Sequence, residues 1–158
     1  MESRGMRRFI IALAVGLSAV VASQAFAADE PANVIKYRQN VMRSIGGHIG
    51  AIAAIVKGEV SFTDDVAAHA RGINAMSKVV PHIFPKGTDN ASNADTRALP
   101  AIWEDMGKFD AAVKAFQAAS ASLVTVAEAG DPSAFGGALG ELGKACGGCH
   151  KPFRAEKK

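Results

Sequence analysis

Cysteine is scarce in this 158-residue chain: there are two, Cys146 and Cys149. No second pair exists to complete a zinc knuckle, and two thiols this close in sequence cannot staple a loop. No stretch carries a strand signal, so the βαβ setting of a thioredoxin-like C-x-x-C is missing as well. The chain also lacks a paired carboxylate, a nucleophile elbow and a glycine-rich phosphate loop, which excludes hydrolases and nucleotide enzymes. It has no distal acid and base pair of the kind a peroxidase needs, and the chain reads as a non-enzyme. There is no internal repeat and no low-complexity segment.

Only one long apolar run is present, and it lies at the start. Arg4, Arg7 and Arg8 form a positive region, Phe9 to Val21 an apolar region, and Ala25-Phe26-Ala27 a small-x-small cleavage site. These are the parts of a secretory signal peptide, residues 1–27, with cleavage expected between Ala27 and Ala28. The run is short and rich in small residues, and no second one follows, so no membrane span is expected after processing. Residues 28–158 are then one exported domain with one core. The leader removes three arginines and one glutamate, which brings the net charge from +3 to about +1. A near-neutral chain gives no reason to expect a nucleic-acid partner.

The informative stretch is Lys144-Ala-Cys-Gly-Gly-Cys-His-Lys151, in which Cys146, Cys149 and His150 form the C-x-x-C-H pattern of covalent haem attachment. Residues three and four apart share a helix face, so the three side chains would point the same way. Two thiols one turn apart can add to the two vinyl groups on the porphyrin edge, giving one haem c, while the imidazole beyond them reaches iron. The two glycines between leave room for a flat ring near the backbone. Two propionates would take the net charge to about −1.

Helical periodicity organises the rest. From Pro31 to about Lys57, Ile35, Met42, Ile45, Ile49, Ile52 and Val56 make one apolar stripe. Arg38 falls on that stripe, either snorkelling from the core edge or pairing with a haem propionate. Gly46, Gly47 and Gly50 thin the middle of this helix, each costing roughly 1 kcal/mol against alanine, with close approach of a helix or of the ring as compensation. Gly58 ends it. Thr63 reads as the cap of a second helix carrying Val66, Ala70, Ile73, Met76 or Ser77, and Val80, stopped by Pro81. A long polar crossover follows to Leu99, with Ile83 and Phe84 tucked inward. Pro100 opens a third helix with Ile102, Met106, Phe109, Val113, Phe116, Ser120, Leu123 and Ala127 on one face. Gly130 ends it. Asp131-Pro132 then opens a fourth whose stripe, Phe135, Leu139, Leu142, Cys146, Cys149 and Phe153, contains the haem cysteines. Pro152 should kink it or weaken its last turn. His48, His69 and His82 read as isolated surface or interfacial residues, and Trp103 and Phe153 as packing near the haem. The fold expected is all-α, an antiparallel four-helix bundle holding one haem c.

In this pattern the chain resembles the class II cytochromes c, the family of cytochrome c′ and its low-spin, methionine-ligated relatives. The resemblance rests on Cys146 to His150 close to the C-terminus, Phe153-Arg154, Lys36-Tyr37-Arg38-Gln39, Val56-Lys57-Gly58 and Ile102-Trp103. It implies thioethers at Cys146 and Cys149, His150 as the proximal ligand of the haem iron, and Arg38 near a propionate. Helix spacing alone leaves Met42, Met76 and Met106 at similar heights in the bundle. The resemblance selects Met42 as the residue facing the distal side of the iron. A bound Met42 implies a periplasmic, low-spin, single-electron carrier. An open distal site implies a high-spin protein that binds nitric oxide or carbon monoxide. The expectation is the first, with redox proteins as partners and Lys144, Lys151, Arg154, Lys157 and Lys158 as a positive docking rim. The small residues of helix one would either support a homodimer, as in many relatives, or only make room within one bundle.

Overall fold

The computed structural model describes residues 29–93 and 95–156; the expected signal peptide, residues 1–27, and the tail lysines Lys157 and Lys158 lie outside the described residues. Among the described residues five α-helices follow one another: α1 (Pro31–Val56), α2 (Val66–Ser77), α3 (Ala101–Glu104), α4 (Met106–Ala129) and α5 (Pro132–Phe153). Four of them, α1, α2, α4 and α5, form an antiparallel bundle. Contacts give the directions. Arg71 and Asn74 of α2 reach Glu128 and Ser120 of α4 at 3.0 and 3.1 Å, descending one helix while ascending the other. Val56 at the end of α1 lies against Gly136 near the start of α5.

The local signals act largely as expected. Pro31 and Pro132 sit in the first turns of α1 and α5, where a missing N–H costs nothing. Gly58 and Gly130 both take φ of 73°, a left-handed conformation that glycine adopts without strain. Asp131 caps α5 by accepting from the Ser133 backbone N–H at 2.9 Å. Pro152 removes one donor, yet α5 runs past it to Phe153, and the Arg154 N–H bonds the His150 carbonyl at 3.0 Å.

Three expectations change. Thr63 does not cap α2; it opens a 3-10 turn, Thr63–Asp65, whose backbone bonds tie the entry instead. The expected third helix is two, because Asp105 leaves the helical region (φ −136°, ψ 71°) and turns its carboxylate to the Lys108 N–H at 3.0 Å. This break resets the helix face, so Met106, expected in the core, is 41% exposed. On α1 the inward set is Ile35, Arg38, Val41, Ile45, Ile52 and Ile55, whereas Val56 is exposed. A 3.6-residue turn drifts against a strict seven-residue step, and over this length the drift exchanges neighbours.

The core is continuous from Val66 and Phe135 at one end to Phe109 and Phe153 at the other. At α2–α4 it contains one polar layer: Ser77 and Ser120, both fully buried, share a hydrogen bond of 3.2 Å, and the Gln117 amide donates to the Ser77 carbonyl. Ser77, not Met76, therefore completes the α2 stripe. A Cβ built at Gly46, Gly47 or Gly50 would meet nothing within 4 Å, so these glycines do not serve close packing among the described residues.

The crossover between α2 and α3 folds over the end of the bundle where α5 finishes. Its last residues pair with the chain beyond α5 in one antiparallel bridge, Leu99 N–H to the Phe153 carbonyl (3.0 Å) and Ala155 N–H to the Arg97 carbonyl (2.8 Å). Ile83 is buried, Phe84 meets Phe109 edge to face at 4.9 Å, and the Trp103 indole donates to the Phe84 carbonyl. Arg38, only 4% exposed, holds the centre. It donates to the Thr88 hydroxyl (2.8 Å), the Thr88 carbonyl (2.7 Å), the Thr96 hydroxyl (2.8 Å) and the Ile83 carbonyl (3.4 Å). Its guanidinium also stacks over Phe84 at 4.7 Å. Arg38 thus does not snorkel; it clamps the loop. Removing a buried cation with this many partners strands several polar groups, so Arg38→Ala should lose about 3 kcal/mol of stability. Lysine cannot reproduce a planar fork, and Arg38→Lys should recover little of it. Denaturant unfolding of the holoprotein measures both; a loss within about 0.5 kcal/mol, as for an ordinary surface residue, would show that the clamp is idle.

Candidate haem site

Beneath the crossover lies a cavity of about 750 Å³. That is within the roughly 300–1,000 Å³ common for small-molecule and cofactor sites. Arg38 and Met42 reach it from α1, Phe84 and Arg97 from the crossover, Ile102 and Phe109 from α3 and α4, and Cys149, His150 and Phe153 from α5. Four of the five residues singled out in the sequence meet at this one cavity. The fifth, Cys146, is one helical turn before Cys149 on α5, half-buried and packed against the core. Met76 and Met106, left open by helix spacing, do not line the cavity; Met42 does.

Burial first, then the positive charges of Arg154 and Arg97, lowers the pKa of His150. Its imidazole is accordingly neutral at neutral pH, as a metal ligand must be. Burial pushes both cysteine thiols up, and neither is in a disulfide. They are half-buried thiols on one face of a helix, kept protonated at neutral pH by that burial. Four of the five N–H groups on Arg38 are committed to the crossover, leaving only Nε–H for any other partner.

The cavity wall also carries residues that periodicity did not reveal. Arg43 and Arg97 join Arg38 and Arg154, against one carboxylate, Asp95. Arg97 and Asp95 lie in an irregular loop, where no period marks which residues face inward. A smaller pocket on the other side of His150 is lined by Arg97, Lys151 and Arg154 as well. Of the expected docking rim, Lys144 pairs with Glu141 at 2.6 Å, which neutralises part of it.

A family model described as cytochrome c′ matches residues 33–154. The chain belongs to the cytochrome c′ family. It is 35% identical to cytochrome c′ of Rhodospirillum rubrum over 151 residues, covering 96% of this chain and all of that one. The crystal structure of cytochrome c′ from Rubrivivax gelatinosus superposes with a TM-score of 0.73 at 34% identity, covering 80% of this chain and 98% of that one. A nitric oxide complex of a cytochrome c prime variant from Alcaligenes xylosoxidans gives 0.73 at 27% identity, covering 82% and 100%. These likenesses support cytochrome c′ and not the low-spin, methionine-ligated branch. Cytochromes c′ are periplasmic proteins with a covalently attached haem c and its iron, of the electron-transport and gas-binding type. No described helix is long and apolar enough to cross a membrane.

The residues present fit that group. A flat, mostly apolar, doubly negative macrocycle matches a cavity with aromatic walls and an excess of arginines. Cys146 and Cys149 would hold it through thioethers, and His150 would supply a nitrogen ligand to its iron. Without it, the bundle keeps a large void in its wall, and packing lost around voids costs several kcal/mol. The Cys146→Ala, Cys149→Ala double variant should therefore be poorly folded. Near-UV circular dichroism and thermal melting test this; a native spectrum with an unchanged melting temperature and no haem would refute the coupling.

Proposed function

We propose that this cytochrome c′ family member is a periplasmic, high-spin haem c protein whose iron would be held by His150 and which binds a small gas, nitric oxide or carbon monoxide. One observation carries this reading: a single cavity of about 750 Å³ is reached by Cys149 and His150 from α5 and bounded on the α1 side by Met42. Bound there, haem c would supply an iron centre able to take an imidazole and a diatomic ligand. The relatives named cytochrome c′, one of them solved as a nitric oxide complex, support the same reading. On this reading residues 1–27 direct export, residues 28–158 are the working domain, and no chemical turnover is performed.

The chain's own residues divide the work. His150, held neutral by burial and by Arg154 and Arg97, offers its lone pair without competing protons. Arg38 holds the crossover over the cavity, and Phe84 and Phe109 give its inner wall an apolar surface. Met42, half-buried and packed against the core, narrows the distal side as a flexible gap-filler.

The same position of Met42 favours a second reading, in which its sulfur occupies the iron and the protein is a low-spin electron carrier. Spectra separate the two. The wild type is expected to show a high-spin ferric spectrum and to bind carbon monoxide. Met42→Ala should keep that spectrum and speed binding about tenfold, equal to about 1.4 kcal/mol of barrier. A low-spin wild type whose sulfur-to-iron near-infrared band vanishes in Met42→Ala would establish the second reading instead.

Self-association belongs to the same proposal. The exposed face at Gly46, Gly47 and Gly50 has none of the described residues above it, which suits a two-fold dimer better than packing within one bundle. Sedimentation velocity at micromolar concentration should give a dimer, and a monomer would remove the idea.

A further inference from the structure

His48 and His69, taken as isolated in the sequence, are joined. Nδ1 of one ring lies 2.9 Å from Nδ1 of the other across the α1–α2 contact, with ring centroids 5.2 Å apart and the rings tilted by 56°. This is one head-on hydrogen bond, in which one nitrogen carries the proton and the other offers its lone pair. Neither ring lines the haem cavity. His48 follows Met42 by six residues, which places it about 9 Å further along α1 at the usual helical rise.

The backbone beside the bond holds it in place. A Cβ at position 72 would stand 2.6 Å from Nε2 of His48 and 2.9 Å from Cε1, so only a glycine on α2 admits the ring at that depth. Both imidazoles are half-buried, and turning either ring over would bring Cδ2 to the contact in place of Nδ1. The charged groups of the surrounding elements are engaged elsewhere or stand apart. On α1, Arg43 donates to Asn40 and Gln39; on α2, Arg71 pairs with Glu128 of α4 at 3.0 Å; on α5, Lys144 pairs with Glu141. Asp64 and Asp65 lie at the entry to α2, with Asp65 about one turn before His69. Among the described residues none of these forms a hydrogen bond or ion pair with either ring, so the only described polar partner of each imidazole is the other.

We propose that the His48–His69 bond is an acid-released latch between α1 and α2. Shared by two neutral rings, the bond is closed. One added proton leaves it closed, because the charged ring still donates its Nδ1–H to the neutral one, and a charge-assisted bond is stronger. A second added proton takes the remaining lone pair. Two N–H groups and two positive charges then face one another across 2.9 Å, and the contact opens.

The proton count gives the sign. The unfolded chain takes a proton on each ring, whereas the closed latch takes one between them. The unfolded state therefore binds more protons in acid. The contribution of the latch to stability is present at neutral pH and lost toward the acid end of the range, about pH 5 to 8, in which histidines change charge. The two protonation steps belong to the pair and not to either ring.

The test is denaturant unfolding of the haem-loaded protein at one protein concentration from about pH 8 to about pH 5, with nitrogen NMR of labelled histidines. At the alkaline end one of the two rings should be the Nδ1–H tautomer. Toward the acid end, the slope of stability against pH should show unfolding taking up about one more proton in the wild type than in His69→Asn. Gly72→Ala keeps both histidines but displaces the His48 ring, and it should lose the extra proton as His69→Asn does. His82→Asn, at an exposed histidine outside the pair, should behave as the wild type. The Soret band should stay unmoved over the range, which separates opening of the latch from loss of the haem site. Should one latch variant fail to fold by its haem spectrum, the other still decides. An Nε2–H tautomer on both rings at the alkaline end, a wild-type slope in either folded latch variant, loss of the slope in His82→Asn, or a Soret shift in step with the slope would overturn the proposal.

Discussion

Because a guanidinium buried without partners costs several kcal/mol, the place where Arg38 finds four hydrogen bonds dictates where the crossover must run. Thr88 and Thr96 lie 50 and 58 residues away in sequence, and the fork of Arg38 fixes both to α1. Once they are fixed, Phe84 must lie over the cation and against Phe109, and Ala98 must meet the chain beyond α5. The cavity wall follows from that one satisfied cation. Four helices alone would leave the end of the bundle open beside Cys149 and His150, and no helix–helix contact could close it.

The helices were legible because their apolar stripes are long. Seven turns of α4 and six of α5 repeat one decision many times, so a local error changes nothing, and all the α4 positions from Phe109 to Ala127 fell inside as read. What was not legible depended on a single backbone event or on partners far apart. Asp105 breaks a helix whose apolar pattern runs straight through it, because its cap to Lys108 competes with continued helix and the pattern contains no trace of that competition. Arg38 could be flagged as a charge on an apolar face, yet its partners lie in a loop without periodicity. His48 and His69 come from two helices whose relative rotation no stripe specifies to within a ring width.

The site divides along the same line. Cys146, Cys149 and His150 are close in sequence, and the helix that carries them guarantees a common face. Met42 is over a hundred residues away, and helix height alone could not separate it from Met76 and Met106. The structure separates them by different means: the break at Asp105 turns Met106 to solvent, Ser77 takes the inward place beside Met76, and Met42 is left on the cavity. Presence on the cavity is a weaker condition than coordination, because a thioether that packs and a thioether that ligates need the same neighbourhood. Likeness to cytochromes c′ adds a preference for packing.

Charge completes the argument for what the cavity receives. Arg38 spends its charge on the crossover, but Arg43, Arg97 and Arg154 also line the wall, with Asp95 as the only carboxylate among its lining residues. Arg154 has its own pKa lowered, by burial first and then by Arg97, so these cations sit in an environment that disfavours them. His150 feels the same field and responds by staying neutral. A neutral ligand would leave the excess uncompensated. A group with an apolar body and two carboxylates on one edge relieves it, and in doing so reduces the repulsion that keeps the proton off His150. On the proposed reading, the cations that lower the pKa of His150 and those that would pair with propionates are one arrangement, and a substitution that removes a cation from this wall should alter both together.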